Sequence, residues 1–308
     1  LIMKTKTHPM NENYRYLSLS VPVSAKTILV VSLDRPRKRN ALNAAMWKEV
    51  GMLFRQIGVS PQYCPCRCVL LIGNGKSFCA GIDFTDPSFM APLSDETELD
   101  VARKGFAFES KLQDMQQAFT DIEQCPVPVV AAMHGNVVGA GIDMATATQV
   151  RLCTENTTFS VREVALGLAA DVGTLQRLPK VVGNQSLVHE LCYTGRSFSA
   201  KEALEMGLVS RVVSGEGGSS SGTAGAHEAL LREAFALCYE ISQHSPIAVH
   251  GTKRALLYSR DHSVQEGLEQ IANYNRLALQ ASDTQTAFLA AATKEAAAFC
   301  DLPPRSRL

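Results

Sequence analysis

The sequence carries no net charge, no long apolar run and no pair of cysteines of the C-x-x-C type. Its 30 Lys and Arg residues balance 30 Asp and Glu residues, which argues against a general affinity for nucleic acid or for a membrane surface. No stretch reaches the roughly 18 consecutive apolar residues that a transmembrane helix requires. Residues 1–14 also lack the apolar core of a secretory signal. We therefore expect no membrane span and no nucleic-acid partner.

The nine cysteines are an odd number scattered along the chain. Three of them alternate at Cys64, Cys66 and Cys68, a spacing that suggests a metal site. No pair of His or Cys follows at zinc-finger spacing, however, and alternating cysteines before an apolar strand rarely close around a metal ion. We expect free thiols, as in a reducing compartment, and no metal.

Hydrophobic residues make up 46% of the 308-residue chain, which is enough for one large domain with an appendage or for two domains. Only residues 214–226 are of low complexity, and their Gly and Ser content predicts a flexible linker or surface loop. We divide the chain into an N-terminal extension (1–14), an α/β core (15–213), the Gly/Ser loop (214–226), a helical region (227–302) and a tail (303–308).

Strand-like and helix-like segments alternate along the core, which is the pattern of an α/β fold. The predicted strands are short and rich in β-branched residues: 17–21, 27–33, 68–72, 129–133, 150–153, 157–161 and 209–213. The predicted helices are 44–57, 95–124, 183–193 and 200–206 in the core and about 227–243, 247–259, 263–281 and 283–299 in the helical region, with caps at Asn43, Ser199, Ser263 and Asp283.

Three acidic residues stand in mostly apolar surroundings between residues 133 and 177. Asp143 follows Gly139-Ala140-Gly141 at a predicted helix start, where unpaired N–H groups and the helix dipole favour an anion or a developing oxyanion. Glu163 follows a strand-like piece, and Asp171 lies in a turn before Gly173. Acids in such surroundings are costly unless they are paired or functional, so all three are candidate site residues.

Each acid also has an ordinary structural interpretation. Asp143 and Asp171 would each cap a helix, and Glu163 would pair with Arg162 or Arg177. The occurrence of all three acids within one segment, beside a Gly-rich helix start, favours a functional site.

Four motifs carry a resemblance to a known family. They are the loop Gly73 to Asp83, the pair His134-Gly135, the triplet Gly139 to Gly141 and the segment Phe159 to Gly167. Together they resemble the crotonase (enoyl-CoA hydratase/isomerase) superfamily, over about residues 15–300. The resemblance implies an α/β, crotonase-like spiral of ββα turns with a C-terminal α-helical trimerisation region, in which trimers often pair into hexamers.

Within the superfamily the chain most resembles the Δ3,5-Δ2,4-dienoyl-CoA isomerases. These carry Asp, Glu and Asp where Asp143, Glu163 and Asp171 stand, whereas hydratases have Glu at the first position and Gly at the last. The segments Gly167 to Asn184 and Leu256 to Val264 resemble the same subgroup. The implied function is an isomerase of fatty acid β-oxidation that converts 3,5-dienoyl-CoA into 2,4-dienoyl-CoA and needs no cofactor besides the CoA of its substrate.

The resemblance also implies roles for individual residues. The implied oxyanion-hole donors are the backbone N–H groups of Ala80 and Ala140. The implied substrate-binding residues lie on the same two segments: Ala80, Gly81, Ile82, Asp83 and Ala140. Asp83 itself also fits a turn or cap at the end of its loop.

The three acids are the implied catalytic residues. Glu163 is the candidate near C2 of the substrate and Asp171 the candidate near C6, but the two roles can be exchanged and the sequence leaves their order open. Asp143 either tunes the charge of Glu163 or takes part directly. Carboxyls this close would titrate as a coupled set.

Further contacts with the substrate are implied elsewhere. Arg37 to Arg39 are candidates for the CoA phosphates, and Lys294 is a weaker one; a solvated basic turn and a solvated lysine are the alternatives. One helix carries apolar residues that fit either a fatty acyl site or a core stripe: Phe106, Phe108, Leu112, Met115 and Phe119.

The last three residues, Ser306-Arg307-Leu308, match the Ser-Lys-Leu type of peroxisomal address and follow a proline-broken tail. They predict a peroxisome or a peroxisome-derived organelle such as the glycosome, with the peroxisomal import receptor as a partner.

Two rival functions belong to other classes. An enoyl-CoA hydratase would use Glu163 and Asp143 to hold one water. An RNA-binding relative is disfavoured because the charge is balanced and no basic-aromatic face is evident. A non-catalytic scaffold would be expected to lose the acids, and this chain keeps three.

Overall fold

A computed structural model describes residues 4–89, 91, 98–215 and 222–304. The middle of the Gly/Ser loop, the predicted start of the second core helix at residue 95 and the C-terminal tripeptide lie outside these residues.

The main sheet has seven strands in the spatial order β1-β2-β3-β4-β5-β7-β10. They are β1 (Thr5–Thr7), β2 (Leu17–Pro22), β3 (Ile28–Leu33), β4 (Cys68–Gly73), β5 (Val129–Met133), β7 (Val150–Thr154) and β10 (Arg211–Val213). The neighbours from β3 to β10 are parallel, and β1 and β2 form an antiparallel edge. The predicted N-terminal extension therefore contributes the edge strand of this sheet.

The central strands β3, β4 and β5 are buried on both faces. This is the usual state of a parallel sheet, because helices cover both of its sides. Side chains alternate between the faces, so that Leu29 and Val31 join one apolar cluster while Ile28 and Val30 join the other. Each fully buried aliphatic side chain contributes about 1.5–3 kcal/mol, so the sheet centre is the most stabilising part of the fold.

A second sheet places the candidate site. It consists of β6 (Asn136–Val138), β8 (Thr158–Ser160) and β9 (Phe198–Ser199), with β6 and β8 parallel. Since Val138 pairs with Ser160, the chain that leaves each strand emerges at the same end of the sheet. Gly139 and Glu163 are thereby brought together although 24 positions separate them.

Six helices accompany these strands: α1 (Ala44–Gln56), α2 (Val101–Gln124), α3 (Ala140–Ala147), α4 (Thr174–Val181), α5 (Gln185–Thr194) and α6 (Ala200–Glu205). The predicted caps are confirmed, because the Asn43 side chain accepts the Met46 N–H at 2.9 Å and Ser199 forms a capping box with Glu202. The orders β2-β3-α1 and β5-β6-α3 are ββα units of the expected kind.

Four more helices follow, as predicted: α7 (Gly222–Ser242), α8 (Pro246–Tyr258), α9 (Val264–Ala278) and α10 (Ser282–Thr293). The first of them packs on the main sheet through Ala229, Leu230, Ala234 and Cys238, so it completes the α/β body. By contrast, α9 buries no residue. No helix within the described ranges is long and apolar enough to cross a membrane.

Two details of the last helix differ from the prediction. It ends at Thr293 and does not continue to residue 299. Asp283 does not cap it, because the N-cap is Ala281 and the Asp283 carboxylate instead accepts the Ser245 hydroxyl at 2.5 Å. The Ser263 cap of α9 is confirmed, again as a capping box.

Candidate active site

Asp143 lies in the first turn of α3 and is fully buried. Its Oδ1 accepts the backbone N–H of Thr174, the first residue of α4, whereas Oδ2 has no hydrogen-bond partner within the described structure. The carboxyl therefore satisfies a free N–H group at the start of a helix 31 positions away. Asp143 is thus a cap, as its ordinary interpretation held, but of α4 and with one oxygen left over.

Burial raises the pKa of Asp143 to about 7, and the negative charge of Glu163 adds to this increase. Hydrogen bonding from Thr174 and the positive charge of Arg177 act in the opposite direction. Near neutral pH this carboxyl is therefore poised between its two protonation states.

Glu163 begins a short 3₁₀ helix, Glu163–Leu166, immediately after the second sheet. A Cβ added to Gly139 would lie 3.1 Å from Oε1 of Glu163, so the carboxyl lies against the residue that precedes α3. Gly139 has a φ of +50°, a conformation that side chains rarely adopt, and a side chain there would also crowd the carboxyl. Burial, followed by the charge of Asp171, raises the pKa of Glu163.

Asp171 is exposed, in the turn before α4. It does not cap α4: the N-cap is Gly173 without a side-chain hydrogen bond, and the Thr174 N–H belongs to Asp143. Partial desolvation raises the pKa of Asp171, and its charge acts on Glu163. The structural role proposed for Asp171 from the sequence is therefore wrong, which leaves its carboxyl free for another purpose.

The loop from Cys79 to Asp83 passes beside the start of α3. A Cβ added to Gly81 would lie 3.1 Å from the Val138 carbonyl oxygen and 3.9 Å from the Ala140 nitrogen. The sequence segments predicted to supply the two oxyanion-hole donors are thus adjacent in space.

One of the two predicted donors needs correction. The Ala80 N–H donates to the Arg39 carbonyl at 3.0 Å, so it is already paired. Two residues further on, Ile82 forms a parallel bridge with Leu42. The hydrogen bonds of this bridge use the Gly81 carbonyl and the Asp83 N–H, and the N–H of Ile82 takes no part in them. In the described hydrogen-bond network neither the Ile82 N–H nor the Ala140 N–H is paired. These two groups, and not that of Ala80, are available as a pair.

Asp83 lies at the end of this loop, and its contacts in the described structure are separate from those of the three candidate catalytic acids. It accepts hydrogen bonds from the Thr85 hydroxyl at 2.6 Å and from the Arg35 guanidinium at 2.9 Å. These two partners lower the pKa of Asp83 to about 2. The interpretation of Asp83 as a turn residue agrees with these contacts.

The sequence analysis missed Asn40, which is fully buried between two loops. Its amide donates to the carbonyls of Asn74 and Ser77 at 2.9 and 2.8 Å, and its oxygen accepts the Arg35 N–H at 2.8 Å. Asn40 also adopts a φ of +55°. Asn is among the few residues that tolerate this conformation, and an Asn directly after the basic run was the one signal that could have indicated the turn.

The predicted acyl wall on α2 divides into two parts. Phe119 is fully buried in the core and its ring centroid lies 4.9 Å from that of Trp47, so it cannot line a binding site. Leu112 and Met115 are partly buried beside that core, and Phe106 is 72% exposed. Only the N-terminal half of the stripe remains available to an acyl chain.

Comparison with known proteins adds an independent line of evidence. The family model for enoyl-CoA hydratase/isomerase matches residues 24–299. The chain belongs to the enoyl-CoA hydratase/isomerase family. Among solved structures of this fold, enoyl-CoA hydratase from Bacillus anthracis superposes with a TM-score of 0.77 at 26% identity, covering 92% of this chain and 99% of that chain. Enoyl-CoA hydratase from Mycobacterium tuberculosis H37Rv gives 0.74 at 24% identity, covering 93% and 99%. The crotonase-like fold is thus confirmed.

Within the family, several curated relatives with high identity to this chain share one name. The chain is 45% identical over 273 residues to mitochondrial Delta(3,5)-Delta(2,4)-dienoyl-CoA isomerase of Mus musculus and 46% identical over 273 residues to that of Homo sapiens, in each case over 88% of this chain and 78% of the relative. It is 35% identical over 291 residues to the peroxisomal protein of that name in Arabidopsis thaliana, over 94% and 99%. The predicted subgroup is confirmed at this level, and the roles of individual residues stay predictions.

Proposed function

We propose that this protein is a Δ3,5-Δ2,4-dienoyl-CoA isomerase of fatty acid β-oxidation. The observation that carries the proposal is the Glu163 carboxyl beside the start of α3, where the Ala140 N–H is unpaired in the described network, with the Asp171 carboxyl near enough for its charge to act on Glu163. Glu163 lies against Gly139 at the start of α3. Asp171 lies on the exposed turn before α4, and its carboxyl does not cap that helix. The relatives that bear this name support the same reaction.

The proposed reaction begins at C2 of the thioester. Glu163 removes a C2 proton, because its carboxyl is the one beside the free N–H of Ala140 and therefore near the thioester oxygen. The electron pair moves towards the thioester oxygen, where the N–H groups of Ile82 and Ala140 stabilise the negative charge. By analogy with other oxyanion holes, one such donor lowers the barrier by about 3–4 kcal/mol.

The reaction is completed at C6. Protonated Asp171 donates its proton to C6 as the charge returns along the chain, leaving double bonds between C2 and C3 and between C4 and C5. Partial desolvation raises the pKa of Asp171, which is compatible with its role as the acid. No step of this scheme calls for a cofactor, since the CoA arrives with the substrate, one proton passes from C2 to Glu163 and the other passes from Asp171 to C6.

The hydratase reading is less well supported by the geometry. A hydratase needs two carboxyls that both hold one water, and because one oxygen of Asp143 accepts the Thr174 N–H, only its Oδ2 would be left for that task. Purified protein should be offered 3,5-dienoyl-CoA and, separately, 2-enoyl-CoA while ultraviolet absorbance is followed. We expect the conjugated 2,4-dienoyl product from the first and little loss of the 2-enoyl absorbance from the second; the reverse pattern would replace the isomerase with a hydratase.

The proposal extends to assembly into a homotrimer or a hexamer. Support comes from the apolar residues that α9 and α10 expose, among them Leu268, Leu277, Phe288 and Leu289. Contact between copies of the chain would remove these apolar residues from water, which is favourable.

The proposed location is the peroxisome or a related organelle such as the glycosome, through binding of Ser306-Arg307-Leu308 by the peroxisomal import receptor. The relatives include both mitochondrial and peroxisomal proteins. A fluorescent fusion that keeps the C-terminus free should enter the organelle, and deletion of Leu308 should leave it in the cytosol. Import that survives the deletion would contradict this address.

A further inference from the structure

One face of α2 is polar where it meets the turn that carries Asp171. Gln116, Thr120 and Glu123 are spaced by four and three residues, so they share one side of the helix. The Gln116 side chain donates to the Asp171 carbonyl at 2.7 Å. The neighbouring face of the same helix is core, with Phe119 fully buried. This polar face of α2 therefore binds the backbone of the turn that carries Asp171.

Arg177 of α4 is seated on the same face. Its Nε lies 3.2 Å from Oε2 of Glu123, its Nη2 donates to the Thr120 hydroxyl at 3.0 Å, and its side chain is only 13% exposed. A guanidinium held by a carboxylate and a hydroxyl has a fixed direction, because its planar donors must match both partners.

The third guanidinium nitrogen, Nη1, lies against Gly173. A Cβ added at Gly173 would stand 1.9 Å from it, so the guanidinium occupies the space that a side chain would need. Gly173 also has a φ of +134°, which only glycine adopts readily. Arg177 thus packs directly against the backbone between Asp171 and Thr174. This segment carries the Asp171 carboxyl at one end and, at the other, the Thr174 N–H that donates to Asp143.

The charges around Asp143 come from three elements. Glu163 of the 3₁₀ helix is the negative charge that acts on Asp143, Arg177 is the positive charge on the α4 side, and the Cys79 thiol of the loop from Cys79 to Asp83 is a titratable group kept neutral by burial, which raises its pKa. Glu123 partly neutralises that positive charge, and Arg260 binds the other oxygen of Glu123 at 2.7 Å. Arg260 therefore shares the counter-ion of Arg177 without touching the turn.

We propose that Arg177 is a positioning residue of this site: it fixes the turn that carries Asp171 through its contact with Gly173, and it places a positive charge on the α4 side of Asp143. The inference rests on the proposed isomerase function. It predicts two separable effects, one on the geometry of Asp171 and one on the pH at which the carboxyl set ionises.

The test compares Arg177→Met, which keeps the length and removes the charge, with Arg177→Lys, which keeps the charge. At pH 7 we expect Arg177→Met to lower kcat by about tenfold or more, since small displacements of a catalytic group have effects of this size, with KM changed less than about threefold. The acid limb of its kcat profile should move to higher pH, because loss of a nearby positive charge raises carboxyl pKa values. Arg177→Lys should restore the position of that limb.

Arg260→Met is the matched control, because it removes an arginine from the same Glu123 carboxylate and leaves the turn untouched. It should keep the wild-type kcat and the wild-type acid limb. The proposal is overturned if Arg177→Met behaves like this control. It is equally overturned if Arg177→Met loses activity to the same degree at every pH and Arg177→Lys restores nothing, since that is the result of a purely structural role.

A variant of opposite sign covers the case in which Arg177→Met does not fold. Glu123→Gln removes the counter-ion and strengthens the field of Arg177, so its acid limb should move to lower pH; an unmoved or raised limb would overturn the proposal. If the wild type fails to isomerise 3,5-dienoyl-CoA, the proposed function fails separately. In that case, infrared titration of the Asp143 carboxyl still measures the effect of the Arg177 charge. The carboxyl band is identified by its loss in Asp143→Asn, and Arg177→Met should raise the midpoint of its titration.

Discussion

The α/β body and the last two helices of this chain differ in how far they bury their apolar residues. In the body the central strands are buried on both faces while Asp143 is buried without a charged partner in contact. By contrast, α9 begins with a capping box at Ser263 and buries none of its residues, and both α9 and α10 carry leucines that are exposed on the surface. We propose that the body holds buried ionisable groups at a cost in stability, and that the exposed apolar residues of the last helices are covered by other copies of the chain.

The largest effect that would sharpen this comparison is expected at Asp171. Asp171→Asn keeps the shape of the side chain and removes its acid function, so dienoyl isomerisation should fall by at least about a hundredfold. Thermal stability should change little, because the carboxyl caps no helix. Glu163→Gln should also impair turnover. Activity is measured by the absorbance of the product and stability by thermal unfolding; near-normal turnover in Asp171→Asn would show that the two-carboxyl scheme is wrong.

On the helical side, a charge placed among the exposed leucines should break the assembly. Leu268 and Leu277 are 58% and 69% exposed in the single chain, and burial of each in an interface would contribute about 1.5–3 kcal/mol. Leu268→Glu with Leu277→Glu should therefore give monomers in light scattering. Leu204→Glu, a leucine of α6 in the body that is also exposed, is the control and should leave the oligomer intact. A wild type that is itself a stable, active monomer would contradict the proposed assembly.

A smaller effect is expected from Asp143 itself. Its pKa is raised to about 7 in the folded protein, against about 3.9 for an unperturbed Asp. A raised carboxyl pKa favours folding below the unfolded value, and this contribution is lost as the pH rises through the folded value. Asp143→Asn removes the cost of the buried charge and keeps an oxygen for the Thr174 N–H. Relative to wild type, it should gain on the order of 1 kcal/mol or more between pH 5 and pH 8 in denaturant unfolding; a difference independent of pH would contradict this account.

The sequence predicted most of the body because its signals are local. The N-cap residues Asn43 and Ser199 mark where their helices begin, and the apolar runs of β3, β4 and β5 are long enough to identify strands. The edge strand β1 was not predicted, because Thr5–Thr7 is fully exposed and has no apolar pattern; what defines this strand is its pairing with β2. Pairing between distant segments leaves no periodicity in either of them.

The site was predicted as a set of acids but not as a set of roles. Nothing near Asp143 in sequence indicates that it caps a helix 31 positions later. Likewise, Ala80 and Ile82 lie two residues apart on one loop, and only the pairing of that loop with Arg39 and Leu42 decides which N–H is free. Residue type indicates which groups have the required chemistry, and long-range hydrogen bonds decide which of them remain available.

The central claim is that one carboxyl removes the C2 proton and another delivers a different proton to C6. Position-resolved deuterium analysis of the 2,4-dienoyl product, formed by the wild type in D₂O and stopped at low conversion, tests it most directly. The account predicts one solvent deuterium at C6, because the acid that protonates C6 has exchanged with solvent before the reaction. Transfer of the substrate's own C2 hydrogen to C6 without deuterium would mean that a single carboxyl carries the proton along the chain, and it would contradict the account.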